Sequence, residues 1–142
     1  MADDDPDDCL LTQEALEESQ LNHELYFVSN GEELLDYLFQ RGNYHTALPS
    51  PRPDLILLDL NMPKKDGREA LKEIKATPNL RQIPVIILTT SKTEEDIYRT
   101  YDLGASSFIT KPVTFDALVQ VMKSLGKYWF GTVRLPNHHK EL

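Results

Sequence analysis

The sequence predicts an α/β protein built on a doubly wound parallel sheet, and three observations carry that expectation. Leu55-Ile56-Leu57-Leu58 is an unbroken apolar run bounded by Pro53 and Pro63. Val85-Ile86-Ile87-Leu88, opened by Pro84, is a second. Runs this short and without alternation read as strands buried on both faces, the kind that parallel sheets contain. Around them apolar residues recur at helical spacing, so strand and helix alternate regularly. That alternation calls for right-handed crossovers and helices on both faces of the sheet.

Taken in order, Asp3, Asp4, Asp5, Asp7 and Asp8 crowd the start of the chain. An acidic start is commonly a solvated tail, but here it leads directly into a helix. Pro6 suits a first helical turn, the acids favour the positive end of the helix dipole, and Leu10, Leu11, Ala15 and Leu16 follow at helical spacing. Glu24 to Val28 is β-prone, Asn30-Gly31 makes a turn, and Glu32 to Arg41 carries Leu34, Leu35, Leu38 and Phe39 on one helical face. Gly42 to Arg52 holds Pro49 and Pro51, shows no periodicity, and reads as a loop of about a dozen residues. After the Leu55–Leu58 strand, Pro63-Lys64-Lys65-Asp66-Gly67 is turn chemistry. Glu69 to Ala76 then forms a helix with Ala70, Leu71 and Ile74 on one face, closed by Pro78.

The Val85–Leu88 strand ends in the hydroxyl cluster Thr89-Thr90-Ser91, and a helix runs from about Thr93 to Leu103 with Gly104 as its C-cap. Ser107 to Thr110 is a further strand, followed by Lys111-Pro112. Phe115 to Phe130 shows Leu118, Val121, Met122 and Leu125 at helical spacing. A short tail from Gly131 to Leu142 carries Val133, Leu135, His138 and His139; a terminal histidine pair of this kind is ordinary tail rather than a metal site.

With 142 residues the chain has the length of one domain. Its net charge of -8 argues against sequence-independent nucleic-acid binding, which relies on cationic side chains. The single cysteine, Cys9, excludes an internal disulfide and reads as an inert, partly buried thiol. There is neither a signal-peptide pattern nor an apolar run of membrane-spanning length, so no membrane association is expected and the cytoplasm is the default location.

Three strand ends carry distinctive polar groups: Asp59, Thr89 and Lys111. In open α/β sheets ligands bind outside the carboxyl ends of the strands, which places all three for chemistry. The Asp3-Asp4 pair joins them if it follows an earlier strand. Taken singly, each has a plainer reading. Asp59 could cap the loop after its strand, Lys111 could be a solvated lysine, and Phe108 could be core. Asp5, Asp7 and Asp8 read as helix-start acids. Carboxylates gathered at one edge repel one another unless a cation lies between them, and hard oxygen ligands favour a magnesium ion that keeps several waters. A lysine nearby would neutralise further negative charge such as a phosphoryl group, and a threonine hydroxyl could hydrogen-bond its oxygens.

Asp3-Asp4, the LLDLNMP segment with Asp59, Thr89, and the FITKP segment with Lys111-Pro112, in this order and at these spacings, resemble a response-regulator receiver domain. The resemblance spans residues 1 to about 127 and rests on the joint presence of the four motifs. The loop Gly42 to Arg52, Lys64-Lys65-Asp66-Gly67-Arg68-Glu69, and Tyr128-Trp129-Phe130 with Val133, Leu135 and Pro136 further resemble the single-domain regulators that partner phytochromes. The resemblance implies a (βα)5 flavodoxin-like sheet of order 2-1-3-4-5, a receiver domain over 1–127, and a C-terminal extension over 128–142 without a separate output domain. It implies that Asp59 accepts a phosphoryl group from a sensor histidine kinase. Magnesium would be bound by Asp4, by Asp3 largely through water, by Asp59, and by the Asn61 main-chain carbonyl. Lys111 would contact the phosphoryl group, Thr89 and Phe108 would form the switch, and the Lys111-Pro112 bond would be cis. The aromatic and apolar tail from Tyr128 to Pro136 needs a cover, which favours a homodimer built on the last two helices, the last strand and this tail.

Two readings from other classes are weaker. A magnesium-dependent aspartyl-nucleophile phosphatase would favour an aspartate acid two residues after the nucleophile, where this chain has Asn61. An unphosphorylated pseudo-receiver scaffold would lack a key acid or lysine, and all are present. The chain departs from the family pattern at two places. Receivers begin with an apolar strand of several residues before the acidic pair, whereas only Met1-Ala2 stand there; either the numbering starts inside that strand, or the strand is truncated and the positions of Asp3 and Asp4 change with it. Thr90 stands where the family commonly has alanine or glycine, and its bulk should narrow access to an acyl phosphate. Phosphorylated Asp59 is therefore expected to hydrolyse more slowly than in Thr90→Ala. Equal or slower loss in the variant, followed by intact mass over time, would count against this.

Overall fold

The computed structural model describes residues 1–20, 23–45 and 51–136. Five helices, α1 (Pro6–Glu18), α2 (Gly31–Phe39), α3 (Gly67–Ala76), α4 (Glu94–Asp102) and α5 (Phe115–Gly131), alternate with three regular strands, β1 (Ile56–Leu58), β2 (Val85–Thr89) and β3 (Ser107–Thr110). The strands are parallel in the order β1-β2-β3, with Ile56 opposite Val85 and Ile87 opposite Phe108. Ala2 makes a parallel bridge to Leu58 on one side and to Val28 on the other. The lateral sequence is therefore Val28, Ala2, β1, β2, β3.

The Glu24–Val28 strand expected from β propensity is reduced to the bridge at Val28. A ladder needs consecutive partners, and the neighbouring stretch Met1–Asp3 supplies Val28 with one bridging residue. The amide of Asp3 donates to Val28 O at 3.0 Å, that of Ala2 to Leu57 O at 2.8 Å, and that of Asp59 to Ala2 O at 3.0 Å. The first strand is accordingly present as a single residue, Ala2, between Val28 and β1. No cis peptide bond occurs among the described residues. The Lys111-Pro112 bond is therefore trans, the form that X-Pro bonds adopt by default, and not the cis form that the resemblance implies. Part of the expected Gly42–Arg52 loop forms a 3-10 turn at Gly42–Tyr44; residues 46–50, and His138 and His139 in the tail, lie outside the described residues.

Each helix starts on a side chain suited to hold its free amides. Asp5 accepts from Asp7 N, Asn30 from Glu33 N, Thr93 from Asp96 N and Thr114 from Ala117 N. Asp66 and Glu69 form a reciprocal capping box at α3. Alternate residues of the strands face opposite layers. Ile56, Leu58, Val85 and Ile87 pack with Leu34, Leu35, Leu71 and Ile74 of α2 and α3. Leu57, Ile86 and Leu88 pack with Ala15, Leu16, Leu118 and Met122 of α1 and α5. Both faces of the sheet are thus sealed, which explains why the strands are apolar without alternation.

The turn between β1 and α3 is pinned on two sides. A Cβ on Gly67 would overlap Asp59 O, and one on Gly31 would overlap Lys65 O, so these two positions require glycine for close backbone approach. The amide of Gly67 donates to Leu60 O and that of Gly31 to Lys65 O, each at 2.9 Å. Arg68, next in α3, reaches across to α4. Its Nε and Nη2 donate to the two carboxylate oxygens of Asp96 at 2.9 and 2.8 Å, and Ser91 Oγ donates to Asp96 Oδ2 at 2.6 Å. Both ion-pair side chains are mostly buried. The Arg68 guanidinium, then the Ser91 hydroxyl, hold the Asp96 carboxyl down to about 2, against burial working the other way. A depressed folded pKa means that the stabilisation is complete above the ordinary carboxylate range and is lost as pH falls toward about 2. Asp96→Asn is expected to lower stability at pH 7 by about 1 kcal/mol after allowance for solvent screening. Chemical denaturation should show that difference shrinking as pH falls from about 4 toward the folded pKa. An equal loss at every pH would assign it to something other than the ion pair.

Candidate functional site

Sheet pairing brings together residues that are far apart in sequence. Asp59 follows β1 directly, and its amide is fixed on Ala2 O. Asp3 follows Ala2 on the neighbouring position of the sheet. Thr89 ends β2, and Lys111, immediately after β3, donates its amide to Thr89 O at 2.7 Å. Asp3 and Asp59 are buried, with 2% and 7% of their surface exposed, and Thr89 is fully buried. Asp4 is exposed. The expected acids, threonine and lysine therefore meet at the carboxyl edge of the sheet.

Carboxylate oxygens of Asp3, Asp4 and Asp59 all lie within 4.8 Å of one another. Such a set of hard oxygen donors fits a divalent cation of the magnesium type. Lys111 stands in the same cluster. Its Nζ is 2.8 Å from Asp3 Oδ2, 2.6 Å from Asp8 Oδ2 and 3.2 Å from Asp59 Oδ2. Burial pushes the Asp3 carboxyl up, against the opposing pull of Lys111 and the Asp5 amide. Burial also works to lower the Lys111 ammonium, but the hydrogen bonds to Asp3 and Asp8 and the charges of Asp3 and Asp59 outweigh it and hold Lys111 above its ordinary value. Cys9, whose Sγ lies 3.7 Å from Asp3 O, is pushed up to about 11, first by burial and then by the Asp3 charge. It is a protonated thiol, in agreement with the inert role expected.

The loop after Asp59 curls over its side chain, with the Asn61 amide 3.4 Å from Asp59 Oδ1. Thr89 Oγ1 faces the Ser91 amide at 3.4 Å. Phe108 is half-buried against the α2–α3 core, and its amide donates to the Tyr101 hydroxyl at 3.1 Å. It sits between core and surface, one strand away from Thr89. Asp8 is the residue that reading the sequence as a helix-start acid leaves incomplete. It does lie in the first turn of α1, but it also makes the shortest contact of Lys111. Its place one helical turn beyond Asp4 was the available signal. Arg68 and Asp96 likewise read as ordinary helix residues in sequence.

The arrangement provides a buried carboxylate at Asp59, two further acids whose oxygens lie close enough to share a cation with it, an ammonium in contact with it, and the Thr89 hydroxyl at the end of the neighbouring strand. These are the parts that phosphoryl transfer needs, since that reaction is catalysed by positioning and charge neutralisation. Comparison with known proteins agrees. Residues 1–123 match the family described as the response regulator receiver domain. Response regulator Rcp1 of Synechocystis sp. is 43% identical over 136 residues, covering 96% of this chain and 90% of its own. The crystal structure of a phosphorylated cyanobacterial phytochrome response regulator, RcpA, is 47% identical, with a TM-score of 0.87 over 96% of this chain and 95% of that one. A response regulator in red light signaling of R. palustris is 33% identical, with a TM-score of 0.89 over 96% and 95%. A family model over most of the chain and relatives at this level of identity agree with its parallel sheet, and the chain belongs to the response regulator receiver domains.

Proposed function

We propose that the protein is a two-component response regulator that takes a phosphoryl group on Asp59 from a sensor histidine kinase of the phytochrome type. The observation that carries this reading is the convergence of Lys111 Nζ and the Asp3 and Asp4 carboxylates on the buried Asp59. The kinase class rests on the relatives, one named as a phytochrome response regulator and one as acting in red light signaling.

An Asp59 oxygen attacks the phosphorus of a phosphohistidine, the phosphorus–nitrogen bond breaks, and the imidazole keeps the electron pair and takes up a proton. A magnesium ion held by Asp3, Asp4, Asp59 and the Asn61 main-chain carbonyl would supply neutralising charge to the phosphoryl oxygens; the relative Rcp1 has been crystallised in a Mn2+-bound form. Lys111 gives the group an ammonium donor. Thr89 exchanges its contact with the Ser91 amide for a phosphoryl oxygen, and Phe108 turns inward into the space that this opens. A local change of charge thereby biases two arrangements of the α4–β3 side. The protein alters and restores only its own Asp59, so it acts as a phosphoacceptor and not as an enzyme on a separate substrate.

We assign residues 1–127 to the receiver domain and residues 128–142 to a C-terminal extension of it. No helix of the described residues is long and apolar enough to cross a membrane, and we place the protein in the cytoplasm. A homodimer uses α4, β3, α5 and the tail. In support, Tyr98, Tyr101, Val113, Phe115, Tyr128 and Phe130 are exposed there, a concentration of large apolar side chains suited to an interface.

Incubation with acetyl phosphate and magnesium is expected to add one phosphoryl group, seen by intact mass. The adduct should require magnesium and be absent in Asp59→Asn. No adduct on the folded protein would overturn the phosphoacceptor reading, and steady release of phosphate from simple esters would favour the phosphatase instead. Gel filtration at micromolar concentration should give the mass of a dimer. A monomer mass both with and without phosphorylation would overturn the dimer.

A further inference from the structure

Lys111 has three N–H donors, and in this structure each has a carboxylate: Asp3 at 2.8 Å, Asp8 at 2.6 Å and Asp59 at 3.2 Å. Two of these partners belong to the acid set built around the reaction, because Asp3 and Asp59 converge with Asp4 on one small volume. Asp8 stands outside that set, yet its contact is the shortest of the three. It is held there by the fold. α1 starts at Pro6 with Asp5 as its cap, and Thr12, Ala15 and Leu16 of the same helix are buried. The carboxylate thus projects from a fixed helical turn and not from a loose loop. The Lys111 side chain is 12% exposed and Asp8 32%, so the ammonium is largely withdrawn from water and releases an anion only in exchange for another.

We propose that Asp8 is a positioning residue that competes with the incoming phosphoryl group for the Lys111 ammonium, and so weakens the site's hold on anionic phosphoryl donors. The inference rests on the phosphoacceptor reading given above. A phosphoryl oxygen can gain a Lys111 donor only if a carboxylate gives one up. The Asp59 contact, the longest, is the one the reaction itself replaces. The Asp8 contact persists and keeps one of the lysine's three donors committed elsewhere. Without it, the ammonium is shared by groups that all face the reacting phosphorus, and the site carries one negative charge fewer.

The test is the dependence of phosphorylation rate on acetyl phosphate concentration, with magnesium fixed, in the wild type and in Asp8→Asn, Asp8→Glu, Lys111→Met and the double variant Asp8→Asn/Lys111→Met. Asp8→Asn is expected to lower the half-saturating acetyl phosphate concentration ~3–5-fold, the upper scale of a partly exposed ion-pair partner. Asp8→Glu, which keeps a carboxylate within reach of the ammonium, should return most of that shift, which a fault in folding would not. In the Lys111→Met background the same Asp8→Asn change should move half-saturation less than about twofold, because coupling is lost when the shared partner is absent. An unchanged or raised half-saturating concentration in Asp8→Asn would overturn the proposal. So would an equal gain without Lys111, which would assign the effect to charge alone. If the wild type forms no adduct, the phosphoacceptor reading falls and this inference with it. If the wild type forms one and Asp8→Asn shows no gain, only this inference falls.

Discussion

Carboxylates can share a few ångströms of partly buried space only while positive charge lies among them. Asp3, Asp4, Asp8 and Asp59 gather at the carboxyl edge of the sheet with Lys111 as the cation described there. Their mutual repulsion, together with the desolvation that raises the Asp3 carboxyl, makes the edge a place that gains from any added cation. The Lys111 ammonium offsets part of that repulsion through its contacts with three of the four acids. The rest of the fold serves to keep these groups in register. Buried helices close both faces of the sheet, and the parallel hydrogen bonds from Ala2 to Leu57 and from Asp59 to Ala2 fix the relative height of residues 3 and 59.

Much of this was legible in the sequence, for reasons that differ by residue. Asp59 and Thr89 could be seen because each breaks an apolar run at the end where an α/β sheet binds ligands, and Lys111 because it follows a strand and precedes Pro112. The helices were visible from their period and from caps such as Asp66 and Thr93. What sequence could not give was pairing between distant segments. Glu24–Val28 has the composition of a strand, but its ladder depends on what lies beside it, and Ala2 gives it one bridge. Asp8 looks like a helix-start acid because local reasoning supplies a sufficient role for it, while its other partner is 103 residues away. Arg68 and Asp96, separated by 28 residues, escaped notice for the same cause. The trans bond before Pro112 lies beyond sequence reasoning for another reason, since the two X-Pro isomers differ by little in free energy.

The two pinned glycines fix one flank of the site. The backbone from Asp59 to Gly67 is pressed against α2 through Lys65 and against itself through Leu60, at contacts too close to admit even a methyl group. The strand end that carries Asp59 is in that sense the anchored side of the site, fixed by backbone contacts at both ends of the turn that follows it. Across the sheet, beyond the end of β2, Ser91 leads into α4 through side-chain contacts, its hydroxyl on Asp96 and its amide facing Thr89 Oγ1. A larger side chain at either glycine would therefore meet backbone, whereas one at Ser91 would meet side chains that can adjust their rotamers.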